Sequence, residues 1–137
     1  MKNTILLLMA GLALISCKQE EKVTTPPPNN GIFGRYELVE MLQDPGDGSG
    51  TFQPVTSNKT LELFTNGTIT SNGNLCSMDP GTANPSSGVF SLADSSIVVA
   101  GCDTLNFDLD SSTLIINYPC IEPCRAKYQK SLPLFTE

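Results

Sequence analysis

Four cysteines, Cys76, Cys102, Cys120 and Cys124, have the type and number to do chemistry in this chain. Two chemistries are open to them. Four thiolates bind zinc tetrahedrally, and the same four sulfurs make two disulfides. The Cys120-x3-Cys124 spacing is one residue longer than the usual Cys-x2-Cys of zinc sites, and an even number suits disulfides. The 137 residues include no His, which removes Ser-His-Asp and Cys-His catalysis and every imidazole ligand. Asp44 and Asp47, in the run Asp44-Pro-Gly-Asp47-Gly-Ser-Gly50, have the look of the start of a calcium loop. Two carboxylates without EF-hand spacing are too few for a hard cation. Asp chosen for backbone hydrogen bonds in a Gly-rich turn cluster is the reading adopted. No pair of carboxylates is placed for acid–base work, so the expectation is no enzyme, no cofactor and no metal.

A fifth cysteine has a different setting. Lys2 is followed by an apolar run from Ile5 to Ile15, 11 residues long, which fits a signal-peptide core and is well short of a bilayer span. Leu14-Ile15-Ser16-Cys17 then resembles the lipobox of bacterial lipoproteins. That resemblance implies removal of residues 1–16 and acylation of Cys17 with palmitate-type chains, each buried CH2 adding about 0.8 kcal/mol of membrane affinity. The protein is thus expected on the cell outer membrane, on its periplasmic or its surface-exposed face. Residues 17–30 include Pro26, Pro27 and Pro28 and a single aliphatic side chain, Val23. Such a stretch cannot pack and reads as a disordered, semi-stiff linker.

Export settles the preference at the four remaining cysteines, because an oxidising compartment favours disulfides over zinc. Three pairings are possible. Joining Cys120 to Cys124 across a hairpin leaves Cys76–Cys102 for two adjacent loops.

The elements that must position these groups are short strands. Eight runs alternate apolar and polar residues or are apolar between turn signals: 35–42, 59–64, 68–72, 88–92, 96–101, 104–109, 113–118 and 125–131. Asn66-Gly67 is the strongest hairpin signal and predicts a type I′ turn. Eight strands with mostly tight connections predict an all-β, eight-stranded up-and-down antiparallel barrel over 31–132, with 133–137 as a tail. Leu38, Leu61, Leu63, Ile69, Phe90, Ile97, Val99, Leu105, Phe107, Leu114, Ile116 and Tyr128 would fill such an interior. The phase of the first strand is open to a slip of one residue. All other charges read as solvated surface.

Alternating strand direction places the turns near Asn66-Gly67, Ala93-Asp94 and Asp110-Ser112 at one end. The long loops 43–58 and 73–87, the corner 101–103 and the connection 119–124 fall at the other. The linker enters at the closed end, so the loop-bearing end would face away from the membrane. Long loops on a rigid scaffold are where binding usually resides. Phe52, Met78 and Ile121 are the exposed candidates there, Phe52 having the alternative of folding back as a lid.

Gly34-Arg35-Tyr36-Glu37-Leu38-Val39 resembles the Gly-x-Trp start of lipocalin-like barrels, with Tyr36 in the Trp position. The run 44–52, the Leu-x-Leu-Phe-x-Asn-Gly-Thr segment at 61–68 and Cys120-Ile-Glu-Pro-Cys124-x-x-Lys127-Tyr128 are similar to those of small bacterial lipocalin-like lipoproteins. The resemblance implies a lipocalin-type barrel and adds Tyr36 to the binding candidates. Two functions follow as expectations. One is a lipid-anchored, monomeric barrel taking a small apolar ligand at its loop-bearing end. The other is an interaction module, its barrel largely filled, that contacts a protein or glycan. With 8 basic and 14 acidic residues and a net charge of −6, nucleic acid is not expected as a partner.

Overall fold

The computed structural model describes residues 31–131; the expected signal segment, Cys17, the expected linker and the residues after 131 lie outside them. The described chain is all-β: β1 (Gly34–Gln43), β2 (Gln53–Pro54), β3 (Thr60–Leu63), β4 (Thr68–Ser71), β5 (Ser86–Ser91), β6 (Ser96–Val99), β7 (Leu105–Asp110), β8 (Thr113–Tyr118) and β9 (Cys124–Lys130). From β3 to β9 each strand pairs antiparallel with the next, and β1 pairs with both β3 and β9. An eight-stranded barrel closes in this way, and β2 is an extra strand added to β1. It lies within the expected loop 43–58, because a two-residue strand has no periodicity to detect.

β1 carries the closure. Its first half pairs with β3 from Gly34↔Leu63 to Glu37↔Thr60, and β9 runs alongside from Tyr36↔Lys130 to Gln43↔Cys124. The register shifts between Leu38 and Glu40, so Val39 is a bulge. Tyr36 and Leu38 are buried before it, and Met41, opposite buried Ala126, packs on the core after it. One extra residue therefore moves the inward set by one, which is the phase slip left open above. Beyond the bulge β3 no longer accompanies β1, and β2 takes its place through Glu40↔Pro54 and Met41↔Gln53.

The Asn66-Gly67 hairpin forms, but not as a type I′ turn. Gly67 has φ of 83° while Asn66 is not left-handed, and the Gly67 N–H donates to the Phe64 carbonyl at 3.1 Å. This is a three-residue loop with glycine in the left-handed position. The Asn66 side chain accepts from the Thr68 N–H at 3.0 Å instead of setting the turn itself.

The interior holds the expected side chains except Phe90, which is only partly buried, and adds Tyr36, Leu75, Tyr118, Cys124 and Ala126. Tyr36 has no exposed surface, and its hydroxyl donates to the Ile32 carbonyl at 2.5 Å. It fastens the entering chain at the closed end.

Candidate functional site: the loop-bearing end

Both cysteine pairs sit at the loop-bearing end and are bonded as Cys76–Cys102 and Cys120–Cys124, with Cα separations of 5.7 and 5.9 Å. The first ties the 72–85 loop to the corner after β6. The second closes the β8–β9 connection on itself. Constraint of the unfolded chain is worth about 3.5 kcal/mol for the larger ring and about 2 kcal/mol for the smaller.

Lys59, just before β3, contradicts the reading of the remaining charges as solvated. It has no exposed surface, and its ammonium donates to the carbonyls of Asn74, Ser77 and Asp79 at 2.8, 2.9 and 2.8 Å. Removal from water pushes its pKa down to about 8, against a smaller upward pull from the Asp79 carboxylate. The aliphatic stem runs beneath Gly73, where an added Cβ would lie 2.5 Å from the Gly81 carbonyl and 3.2 Å from the stem. Only glycine fits there. The loop is further ordered by short polar side chains: Asn74 accepts from the Cys76 N–H, Asp79 from the Gly81 N–H, and Ser86, at the start of β5, bridges Leu75 and Gly73.

Leu75, from the middle of that loop, is fully buried in the core, and Met78 packs against it. The segment 73–81 thus lies across the mouth of the barrel, with Leu75 as its plug and Lys59 as the post to which it is fastened.

The 44–50 loop is built around Asp44, which is 7% exposed. Its carboxylate accepts from the N–H groups of Gly46, Gly48 and Gly50 at 2.8, 3.1 and 2.9 Å. These bonds, that from Gly46 foremost, hold its pKa below the usual range. Asp44 is the organiser of a turn cluster, and its own N–H donates to the Pro123 carbonyl at 3.1 Å, joining the loop to the β8–β9 connection. Phe52 packs beside Lys127 and is not among the side chains packed on the core. Its ring lies under Lys127, whose ammonium is 4.1 Å from the ring centroid and also pairs with Glu40.

Of the three loop candidates, then, Ile121 alone stands fully exposed, at the tip of the Cys120–Cys124 ring. Below it, on the outer wall of β7, β8 and β9, runs an open groove of about 460 Å³ lined by Asn106, Asp108, Asn117, Glu122 and Arg125. The Asn117 amide spans it with long bonds to the Asn106 carbonyl (3.5 Å) and the Asp108 carboxylate (3.3 Å). Sequence reasoning finds Ile121 but not the groove, whose members alternate with core residues and read as solvent-facing positions.

Inside the barrel, the hydroxyls of Tyr118 and Tyr128 are buried with no hydrogen-bond partner of normal geometry. Burial pushes Tyr118 up to about 12 and Tyr128 well above the usual tyrosine value.

Comparisons with protein-family models, curated proteins and solved structures give no match to this chain. The likeness to small lipocalin-like lipoproteins stays with the motifs quoted above, since a barrel alone identifies no family.

Proposed function

We propose that the protein is a lipid-anchored, non-enzymatic interaction module of the cell envelope, which presents its loop-bearing end to a protein or glycan partner. The observation that carries this reading is the plugged mouth: Leu75 and Met78 pack on the core, and the buried Lys59 ammonium fastens the loop that bears them. A scaffold stiffened by two disulfides, a buried amine and a buried carboxylate holds its loops ready to bind, which lowers the ordering cost of association. Ile121 and the groove beneath it are the contact surface in this reading. The anchor is Cys17, and outer membrane is the expected place.

A second reading, a barrel that takes a small apolar ligand, keeps one observation in its favour. The buried hydroxyls of Tyr118 and Tyr128 interact with each other but make no hydrogen bond of good geometry, and such groups ordinarily find one. Native mass spectrometry of protein extracted from its own membrane decides between the two. The interaction reading expects no retained small molecule, and Ile121→Asp to weaken partner binding at unchanged melting temperature. A stoichiometric apolar molecule, lost in Tyr128→Phe, would replace it with the second reading.

A further inference from the structure

Strands β4, β5 and β6 contain no Asp, Glu, Lys or Arg. Their outward positions form a grid of small and β-branched side chains. Thr68 stands opposite Val89, Val89 opposite Val98, Thr70 opposite Ser87, and Ser91 opposite Ser96. The outer positions of β7 and β9, in contrast, include Asp108, Asp110 and Arg125. Five large hydrophobic side chains are exposed among the described residues, and four of them belong to this side of the barrel: Val89 (58%), Val98 (50%), Leu92 (46%) and Phe64 (37%). Phe64 and Leu92 sit in the closed-end turns.

We propose that this uncharged wall, with Phe64 and Leu92 at its closed-end margin, is the surface on which the tethered barrel rests against a lipid bilayer. The inference builds on the lipid-anchored reading. Three observations select the bilayer as occupant. First, the area is small. Three strands about 4.8 Å apart and four residues of about 3.3 Å each span roughly 200 Å², against about 800 Å² per partner in a stable protein pair. A second copy would not be held by it, whereas a surface already brought close by a covalent tether needs little affinity of its own. Second, the chain enters beside it. Gly34 pairs with Leu63, so the entering segment is next to Phe64, and thirteen residues, 18–30, separate it from Cys17, a reach of at most about 47 Å. Third, a chain with a net charge of −6 meets an anionic or zwitterionic surface with least repulsion through its least charged face, where the nearest carboxylates, Glu62 opposite Thr70 and Asp94 bonded to Ser91, stand at the margin. The arrangement also orients the molecule. In the ring of eight strands β4 and β5 lie across from β8 and β9, so resting on the first pair turns Ile121 and its groove away from the membrane.

The absence of Trp from the sequence supplies the test, because each single-Trp variant then carries one indole at a known place. V98W and L92W report from the wall, V89W is the reserve should either misfold, and I121W reports from the opposite side. Each is made as full-length acylated protein and reconstituted in phosphatidylcholine vesicles with or without brominated acyl chains. Indole emission of V98W and L92W should shift to the blue and be quenched at least about twofold by brominated lipid. That of I121W should not be, and high salt should change none of the three, since no ion pair is involved. Protein that floats with vesicles while V98W and L92W are unquenched, or quenched no more than I121W, overturns the docking surface and leaves the anchor intact. If protein purified from its own membrane carries no acyl chain on Cys17 and does not float with vesicles, the anchor and the docking surface are both overturned. A blue shift in V98W that grows with protein concentration in the absence of vesicles overturns the proposal in favour of a second copy.

Discussion

The ammonium of Lys59 and the main-chain carbonyl of Asp79 are 2.8 Å apart inside a protein whose Lys59 side chain reaches no solvent. A strongly hydrated cation has been exchanged for three peptide oxygens, all from one loop. The loop gains a centre, and the lysine gains a proton affinity lower than it has in water.

Lys59→Met keeps most of the volume and removes the donors. Three carbonyls that accept from the amine then lose that partner, at a cost of about 3 kcal/mol. Urea denaturation should show it, and hydrogen exchange should quicken first at residues 74–81. A loss below about 1 kcal/mol would mean that the loop holds itself.

The same burial sets a dependence on pH with a definite sign. Between pH 8 and about 10 the unfolded chain keeps the Lys59 proton that the folded protein releases, so stability rises with pH, by no more than about 3 kcal/mol. Above pH 10 the sign reverses. Unfolded tyrosines ionise there, while Tyr118, pushed up to about 12, and Tyr128 stay neutral in the fold. Stability falls wherever the unfolded chain has lost protons that the folded one retains. Thermal melts from pH 7 to 11 should pass through a maximum near pH 10, and Lys59→Met should remove the rising limb.

The two disulfides should differ in worth. Replacing Cys76 and Cys102 together by Ser should cost about 3.5 kcal/mol, and replacing Cys120 and Cys124 about 2 kcal/mol. Equal losses in paired denaturation curves would show that native-state geometry outweighs ring size. Thiol titration of the intact protein should find none of the four free.

Substitutions at the three loop candidates should separate. Ile121→Ser should change stability by under about 0.5 kcal/mol, because the side chain stands in solvent. Met78→Ser removes packing against the core and should cost about 1–3 kcal/mol. Phe52→Ser uncovers the Lys127–Glu40 pair and should cost about 1 kcal/mol. Comparable losses at all three would place Ile121 in the core as well.

Much of this architecture is legible from residue order. Alternation in Leu105-Asn106-Phe107-Asp108-Leu109 marks β7 and its inward face, and the even number of cysteines in loops at one end marks the bonded pairs. The phase change from Tyr36 and Leu38 to Met41 is the trace of the Val39 bulge. Lys59 is illegible for a physical reason. It stands in the polar run Ser57-Asn58-Lys59-Thr60, and the carbonyls that take its charge come from backbone 15 to 20 residues later, which has no side-chain signature. Leu75 leaves a fainter mark, a lone aliphatic residue in a loop of Ser, Asn and Gly beside a bonded cysteine. Asp44 shows its role in the sequence but not its burial, since the three N–H groups that replace its water belong to glycines chosen for their backbone.

The partnership of β1 with β9 has a consequence for the order of assembly. Glu40 and Lys127, which meet across that seam, are 87 positions apart. A chain delivered from its N-terminus can form the β3–β4 hairpin early, but its first strand has no partner on one side until the last has arrived. Contacts so distant close slowly because the loop entropy is lost before the contact is made. Through that interval β1 presents an unpaired edge, and a chain that ends before Cys124 presents it permanently. The barrel is thus a fold that reports its own completeness: only a chain with both its first and its last strand closes the ring, leaving no edge beyond that of the two-residue β2.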